Sequence, residues 1–263
     1  MNQEPPTLQI RNLTAGYRNR RVIHGLTLEP IQAGRVTALV GPNAAGKSTL
    51  LRALAGLVRT DGSIRLGEDE LTNLSFVERA RRVSFMPQTL PQGVRLSILE
   101  SVLSGLNVNR ADLWGASEED SRAHALRVLD RVGLIEVALE PLDRLSGGQR
   151  QLASLAQAIV REPRLLLLDE PTSALDLHHQ VRVMSIVRSL AAEGRIVVVV
   201  LHDLNLASRW ADSIVVLHRG ILYASGPPED AITARMLEEV YRVEGRIEPC
   251  SRGLLQVIVD GSA

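Results

Sequence analysis

Gly41-Pro42-Asn43-Ala44-Ala45-Gly46-Lys47-Ser48-Thr49 decides how the rest of the chain is read. The stretch fits G-x-x-x-x-G-K-[ST], a loop that cradles nucleotide phosphates. Its flanks suit that use. Val36–Val40 reads as a short buried strand, and Ser48–Gly56 as a helix ending on glycine. A turn between strand and helix points several backbone N–H groups, and the helix N-terminus, at one spot, which makes an anion site. Lys47 is then placed to reach the β- and γ-phosphates, and the Ser48 hydroxyl to hold Mg²⁺. Lys47 is also the only lysine among the 30 lysine and arginine residues. The loop needs a compact ammonium on a thin stem, and a planar guanidinium does not replace it.

The chain has 263 residues, room for one large α/β domain or two small ones. Apolar residues make up 45% and aromatics 3%, so the expected core is aliphatic. A formal net charge of zero argues against a bulk electrostatic grip on nucleic acid or anionic lipid. Cys250 is alone, so no internal disulfide forms and a reducing compartment fits. Met1–Pro6 lacks a charged-then-apolar signal pattern, and the longest apolar run, Ile196–Leu201, is too short to cross a bilayer. A soluble, cytoplasmic protein is expected, with any membrane role exercised through a partner.

Residues 7–30 alternate loosely and predict two or three antiparallel strands around a polar turn at Arg18–Arg21. Tyr17 is either a half-buried strand aromatic or a ring that stacks on a nucleotide base. Strands are expected at Gly62–Leu66 and Val83–Met86, with a short helix at Ser75–Arg82 between them. Gln88 follows the second strand beside the expected site, within reach of Mg²⁺ or an attacking water. Residues 89–162 change character: 97–103, 117–132 and 147–160 carry helical spacing, while 89–95 is turn-like. This predicts a helical insertion in an α/β domain. Within it, Leu145-Ser146-Gly147-Gly148-Gln149 starts a helix and presents a second set of N–H groups.

Leu165-Leu166-Leu167-Leu168-Asp169-Glu170 predicts a buried parallel strand with two carboxylates at its C-terminal end, where open α/β sheets bind ligands. Asp169 is placed for Mg²⁺ and Glu170 to polarise a water. A loop through Asp176 and a helix over Leu177–Ala192 follow. Ile196–Leu201 is another buried strand, and it ends on His202, a candidate contact for the γ-phosphate. Ile214–His218 and Ile221–Ala224 predict a hairpin, Ala234–Tyr241 a helix, and 245–247 and 254–259 two further strands. His178-His179 reads as a surface pair without further ligands.

The order of these motifs resembles that of ABC-type ATPase domains, from about residue 7 to the end. Leu-Ser-Gly-Gly-Gln at 145–149 is diagnostic of that superfamily. The stretches Ala80–Gln88, Leu175–Gln180 and Val240-Tyr241 resemble the iron-siderophore, heme and cobalamin importer group. Two departures stand out: Ala44 replaces the usual glycine of the loop, and the Arg-x-Pro-His type stretch of that group is replaced by Ser104–Arg110. The resemblance implies a P-loop NTPase (RecA-like) α/β core. It adds an N-terminal antiparallel β subdomain, a helical subdomain inserted at about 89–162, and an appendage at about 226–263.

It also implies roles. Tyr17 stacks on adenine. Gly41, Pro42, Asn43, Ala44, Ala45, Gly46, Lys47, Ser48 and Thr49 bind the phosphates of ATP. Gln88 links Mg²⁺ and water to a membrane partner. Ser146, Gly147, Gly148 and Gln149 cap the ATP held by the opposite subunit. Asp169 serves Mg²⁺, Glu170 is the general base, Asp176 communicates across the dimer and His202 senses the γ-phosphate. The implied protein is the peripheral ATPase of a bacterial importer, on the cytoplasmic face of the inner membrane. It works as a homodimer on integral-membrane permease subunits served by an extracytoplasmic substrate-binding protein. The alternatives are a soluble ABC-type ATPase acting on ribosome or DNA, a non-catalytic nucleotide-binding subunit, and an ATPase for another transported substrate. The absence of a second cassette, coiled coil or basic surface speaks against the first, and intact Glu170 and signature against the second.

Overall fold

The computed structural model describes residues 6–18, 20–88, 96–106, 117–173 and 175–262. The turn expected at 89–95 and the stretch 107–116, which the importer comparison touches, lie outside these residues.

Two long strands open the chain, β1 (Thr7–Tyr17) and β2 (Arg20–Gln32), paired antiparallel. Leu8, Ile10, Leu13 and Ala15 point into the core, and the register shifts between them let two long strands curl over it. β4 (Arg59–Leu66) covers the other edge of β1, and β5 (Asp69–Glu70) completes a sheet of order β2-β1-β4-β5. The second sheet has six strands, in the order β10-β9-β3-β8-β7-β6. Its members are β3 (Val36–Val40), β6 (Val83–Met86), β7 (Leu165–Asp169), β8 (Ile196–Val200), β9 (Ser213–His218) and β10 (Ile221–Gly226). All neighbours run parallel except the β9–β10 hairpin at one edge. Every residue of β3, β7 and β8 is buried, as expected of parallel strands covered on both faces.

The uninterrupted apolar runs feed two cores at once. Leu166, Leu168, Val197 and Val199 face one apolar cluster; Leu165, Leu167, Ile196, Val198 and Val200 face the other. The second cluster is closed by β1, β2, β4 and α1 (Lys47–Leu54). The first is closed by α3 (Ile98–Leu106), α4 (Glu118–Val132), α5 (Gly147–Ile159) and α6 (Leu177–Ala192). Alternation of side chains across a strand makes this split unavoidable once both faces are apolar.

Helix starts follow local chemistry. Ser75, Ser117 and Ser146 each accept a hydrogen bond from the backbone three residues on, and Glu78, Asp120 and Gln149 return it. These capping boxes start α2 (Phe76–Arg82), α4 and α5. Arg79 of α2 is buried, and among the described residues no carboxylate pairs with it. Its guanidinium instead donates to the carbonyls of Ala53, at the end of α1, and Leu71. A buried cation there complements the negative end of the helix that carries the phosphate loop.

After β10 the chain forms α7's companions. α7 itself (Leu204–Trp210) precedes β9; α8 (Pro228–Ala231), α9 (Ala234–Met236) and a π-turn (Leu237–Tyr241) follow β10. The tail predicted as one helix over Ala234–Tyr241 is thus a short α segment that widens into a π-turn. A hairpin of β11 (Val243–Pro249) and β12 (Leu255–Ser262) ends the described chain. Asn205 of α7 clamps β12: its amide accepts from Val257 N (2.7 Å) and donates to Val257 O (3.2 Å), and Ser208 donates to Leu255 O (3.1 Å).

Replacing the buried guanidinium tests the Arg79 cap. Arg79→Met should lower the unfolding free energy by about 2 kcal/mol. The loss should appear as a lower denaturant midpoint at unchanged slope. An unchanged midpoint would show that the cap contributes nothing.

Candidate functional site

The loop between β3 and α1 is shaped by two glycines. Gly41 adopts φ 144°, and a Cβ there would sit 2.2 Å from Leu217 O. Gly46, before the first residue of α1, has φ 106°, and a Cβ there would sit 2.8 Å from Ile23 Cδ1. At Gly41 a Cβ has no room, and at both places the backbone is one that L residues rarely adopt. Lys47 is only 5% exposed, and its Nζ donates to Gly41 O (2.7 Å) and Pro42 O (3.0 Å). Burial lowers its pKa, while the negative charges of Glu170 and Asp169 act the other way. The ammonium is therefore held at the mouth of the loop by neutral carbonyls, which a stronger anionic acceptor can replace.

The predicted carboxylates arrive at the same place from β7. Asp169 is 2% exposed, and its Oδ1 accepts from Ser48 Oγ at 3.0 Å. Burial raises its pKa, with the Ser48 hydrogen bond opposing. A desolvated carboxylate beside a hydroxyl is a donor pair of hard oxygens, which fits Mg²⁺. Glu170 follows in left-handed backbone, φ 54°. Its Oε2 accepts from Gln88 Nε2 (2.6 Å), its Oε1 is bonded to His202 Nε2, and its backbone carbonyl accepts from Gln151 Nε2 (3.2 Å). Two side chains, from just beyond the ends of β6 and β8, thus hold the carboxylate of the residue after β7, and a third, from α5, holds its backbone carbonyl.

A cavity of about 300 Å³ opens over these groups. It is lined by Asn43 through Thr49, Glu170 and His202, with Tyr17, Arg20 and Val22 closing one side. Tyr17 is 42% exposed at the end of β1, and its hydroxyl accepts from Arg52 Nη1 at 2.9 Å. It is thus an exposed ring on the cavity wall, not a core aromatic. Arg20, Val22, Arg52 and Gln151 are not among the site residues expected from the sequence. The first two were accessible to it: a hairpin that ends on Tyr17 pairs that residue with Arg20.

The turn at 145–149 does not line the cavity. Ser146 and Gly147 are exposed, and nothing lies within 4 Å of a Cβ built on Gly147. The Gln149 side chain is used inside its own chain, accepting from Ser146 N at 2.9 Å. Asp176, also outside the cavity, caps α6: one carboxylate oxygen accepts from His179 N (2.8 Å) and meets its Nδ1 (2.8 Å). Those bonds hold the Asp176 carboxyl below its ordinary pKa. His178 is exposed as the sequence suggests, whereas His179 is half-buried and serves Asp176. Among the described residues no group of three or more His, Cys, Asp or Glu gathers into a metal site, and no helix is long and apolar enough to cross a membrane.

A family model described as ABC transporter matches residues 23–173. The chain belongs to that family. It is 37% identical, over 246 residues, to the petrobactin import ATP-binding protein of Bacillus anthracis, covering 91% of this chain and 88% of that one. It is 38% identical to a hemin import ATP-binding protein of Rhodopseudomonas palustris (88% and 89% covered). It is 34% identical to the ferric enterobactin transport ATP-binding protein of Escherichia coli (92% and 89%). Among solved structures it resembles a chain of a metal-chelate type ABC transporter in an inward-facing conformation. The TM-score is 0.82 at 27% identity, with 98% of both chains covered.

In this ABC-type ATPase the loop carries one local strain. Ala44 sits at φ 61°, so the position that departs from the usual glycine does require left-handed backbone. The methyl group is tolerated, but not freely: an L residue there costs roughly 1–2 kcal/mol. Part of the gain from glycine is lost to its freer unfolded chain. Ala44→Gly should therefore stabilise the protein by up to about 1 kcal/mol, and Ala44→Val should destabilise it by more than that. Denaturant melts of both variants decide the point; a stabilising valine would contradict the strain.

Proposed function

We propose that this chain is the ATP-hydrolysing subunit of an importer for iron chelates, ferric siderophores or heme, and that it works as a homodimer on a separate membrane permease. Supporting the cargo are the relatives named for petrobactin, hemin and ferric enterobactin, each covering most of the chain. The observation that carries the chemistry is Glu170, held by Gln88 and His202 at the wall of a cavity floored by the phosphate loop.

In this reading the loop amides and Lys47 take the β- and γ-phosphates. Ser48 and Asp169, with Gln88, hold Mg²⁺, which neutralises phosphate charge when bound. Glu170 accepts the proton of the attacking water. His202 orients Glu170 and meets the γ-phosphate, and Tyr17 stacks on the base. The exposed signature turn, which lies outside its own cavity, caps the nucleotide of a second copy. Leu177 and Val181, one helical turn apart directly after Asp176, are 80% and 52% exposed and give that contact an apolar component. ATP then stabilises the closed dimer by binding it preferentially, and loss of the γ-phosphate contacts opens it. Gln88, at the start of the segment leading into the helical insertion, links this cycle to the permease and so to alternating access.

Two substitutions test the chemistry. Glu170→Gln should bind MgATP normally and hydrolyse it about 10²–10⁴-fold more slowly, the usual worth of a general base. Lys47→Arg, conservative in charge only, should abolish turnover. Near-normal rates in either would remove that residue from its role. In a deletion strain, ferric siderophore or hemin uptake should fail and return with the wild-type gene but not with Glu170→Gln; undiminished uptake of both would overturn the cargo.

A further inference from the structure

One face of α5 lies against the segment that joins β7 to α6, at its start and just past its end. At the start, Gln151 Nε2 donates to Glu170 O (3.2 Å). Three residues earlier on the same helix, and so on the same face, Gly148 meets the imidazole of His179. A Cβ built on Gly148 would sit 2.6 Å from His179 Cδ2 and 2.9 Å from its Cγ and Nε2, so the ring rests directly on the signature glycine. Between the two points the segment folds on itself: Ser173 N donates to Glu170 O (3.2 Å), and Gln180 Nε2 donates to Leu175 O (3.1 Å).

A hydrogen bond pins the ring there. His179 Nδ1 is 2.8 Å from Asp176 Oδ1, the oxygen that also accepts from the His179 backbone N–H (2.8 Å). An ionised carboxylate only accepts, so Nδ1 is the donor. Capping α6 requires the backbone N–H alone. The imidazole adds what a cap does not need, a direct tie from the Asp176 carboxylate to the signature turn. His179 does not line the nucleotide cavity. A methyl group on Gly148 would have to drive the imidazole off, and with it the bond to Asp176.

We propose that His179 is a positioning residue for the contact between copies. Its imidazole, bonded to Asp176 and laid on Gly148, sets the spacing between the loop carboxylate and the signature turn. The face that meets the second copy is then formed before that copy arrives, which lowers the ordering cost of association. The inference rests on the reading of the signature turn as the cap on a partner's ATP. Gln151 registers the same helix at Glu170, so one face of α5 aligns both the hydrolytic carboxylate of its own chain and the turn offered to the other.

The test uses the Glu170→Gln chain, in which bound MgATP is not consumed. Sedimentation reads the dimer, and a fluorescent ATP analogue reads nucleotide affinity at protein concentrations where the chain is monomeric. His179→Phe keeps a ring for Gly148 and the backbone cap, and removes the Nδ1 donor. It should leave the Kd for the analogue unchanged and raise the dimer dissociation constant in MgATP about 10-fold, the worth of one hydrogen bond to a charged group. A His179 that only caps α6 would change the melting temperature and leave the dimer constant alone. Gly148→Ala and His179→Ala should each weaken the dimer, and the double variant should fall short of their product, because the methyl has room once the ring is gone. Strictly independent effects would show that ring and glycine act apart. A dimer constant unchanged by His179→Phe overturns the inference while the proposed function stands. A Glu170→Gln chain that binds MgATP with His179 intact and stays monomeric overturns both.

Discussion

A phosphate site made of backbone amides works only if the chain turns from strand to helix without a side chain in the way. Gly41 has a carbonyl oxygen where its Cβ would be, and Gly46 has an isoleucine methyl there. The rest of the architecture supplies the two rigid bodies that this turn joins. β3 lies in the interior of a six-stranded sheet, every residue buried, so its end is set by packing on both faces. α1 is held at its far end by the Arg79 guanidinium. Between them Lys47 is nearly buried, and its Nζ is held by two carbonyls of the loop itself. The ammonium is presented, not searched for, and that preorganisation is what a phosphoryl-transfer site has to provide.

The second constraint is the left-handed turn at Glu170. Its backbone carries strain of a kind that persists only where the surroundings over-determine it. Here they do: Gln88, Gln151 and His202 arrive from three separate elements. Two of these elements have further duties. α5, which supplies Gln151, begins with the exposed signature turn, and Gln88 leads into the helical insertion. The signature turn and the insertion thus each lie one element away from Glu170. Asp176 and His179 add a short, charge-assisted link on the same side of the molecule.

Much of this was legible in the residues. The leucine and valine runs forced buried parallel strands, and their length matched the observed strands to within a residue. The helices expected from apolar spacing start where Ser75, Ser117 and Ser146 cap them, because that capping chemistry is local. The phosphate loop, Asp169-Glu170 and His202 converge because a parallel sheet brings all its strand C-termini to one edge. What escaped had no local signature. Arg79 reads as one more surface arginine of a polar helix until α1 is packed against it. Gln151 and Arg52 matter only through partners distant in sequence. The left-handed conformation of Ala44 and the widening of the last helix into a π-turn leave no mark on the local residue pattern.

The central claim is that each nucleotide is completed by the signature turn of another copy, since Ser146 and Gly147 of that turn are exposed and the turn does not line its own cavity. Sedimentation of the Glu170→Gln chain with MgATP, alone and carrying Gly148→Asp, measures this directly. The account predicts that ATP converts the first from monomer to dimer, while the second binds ATP equally well and stays monomeric. ATP-driven dimers that form regardless of Gly148→Asp would contradict it.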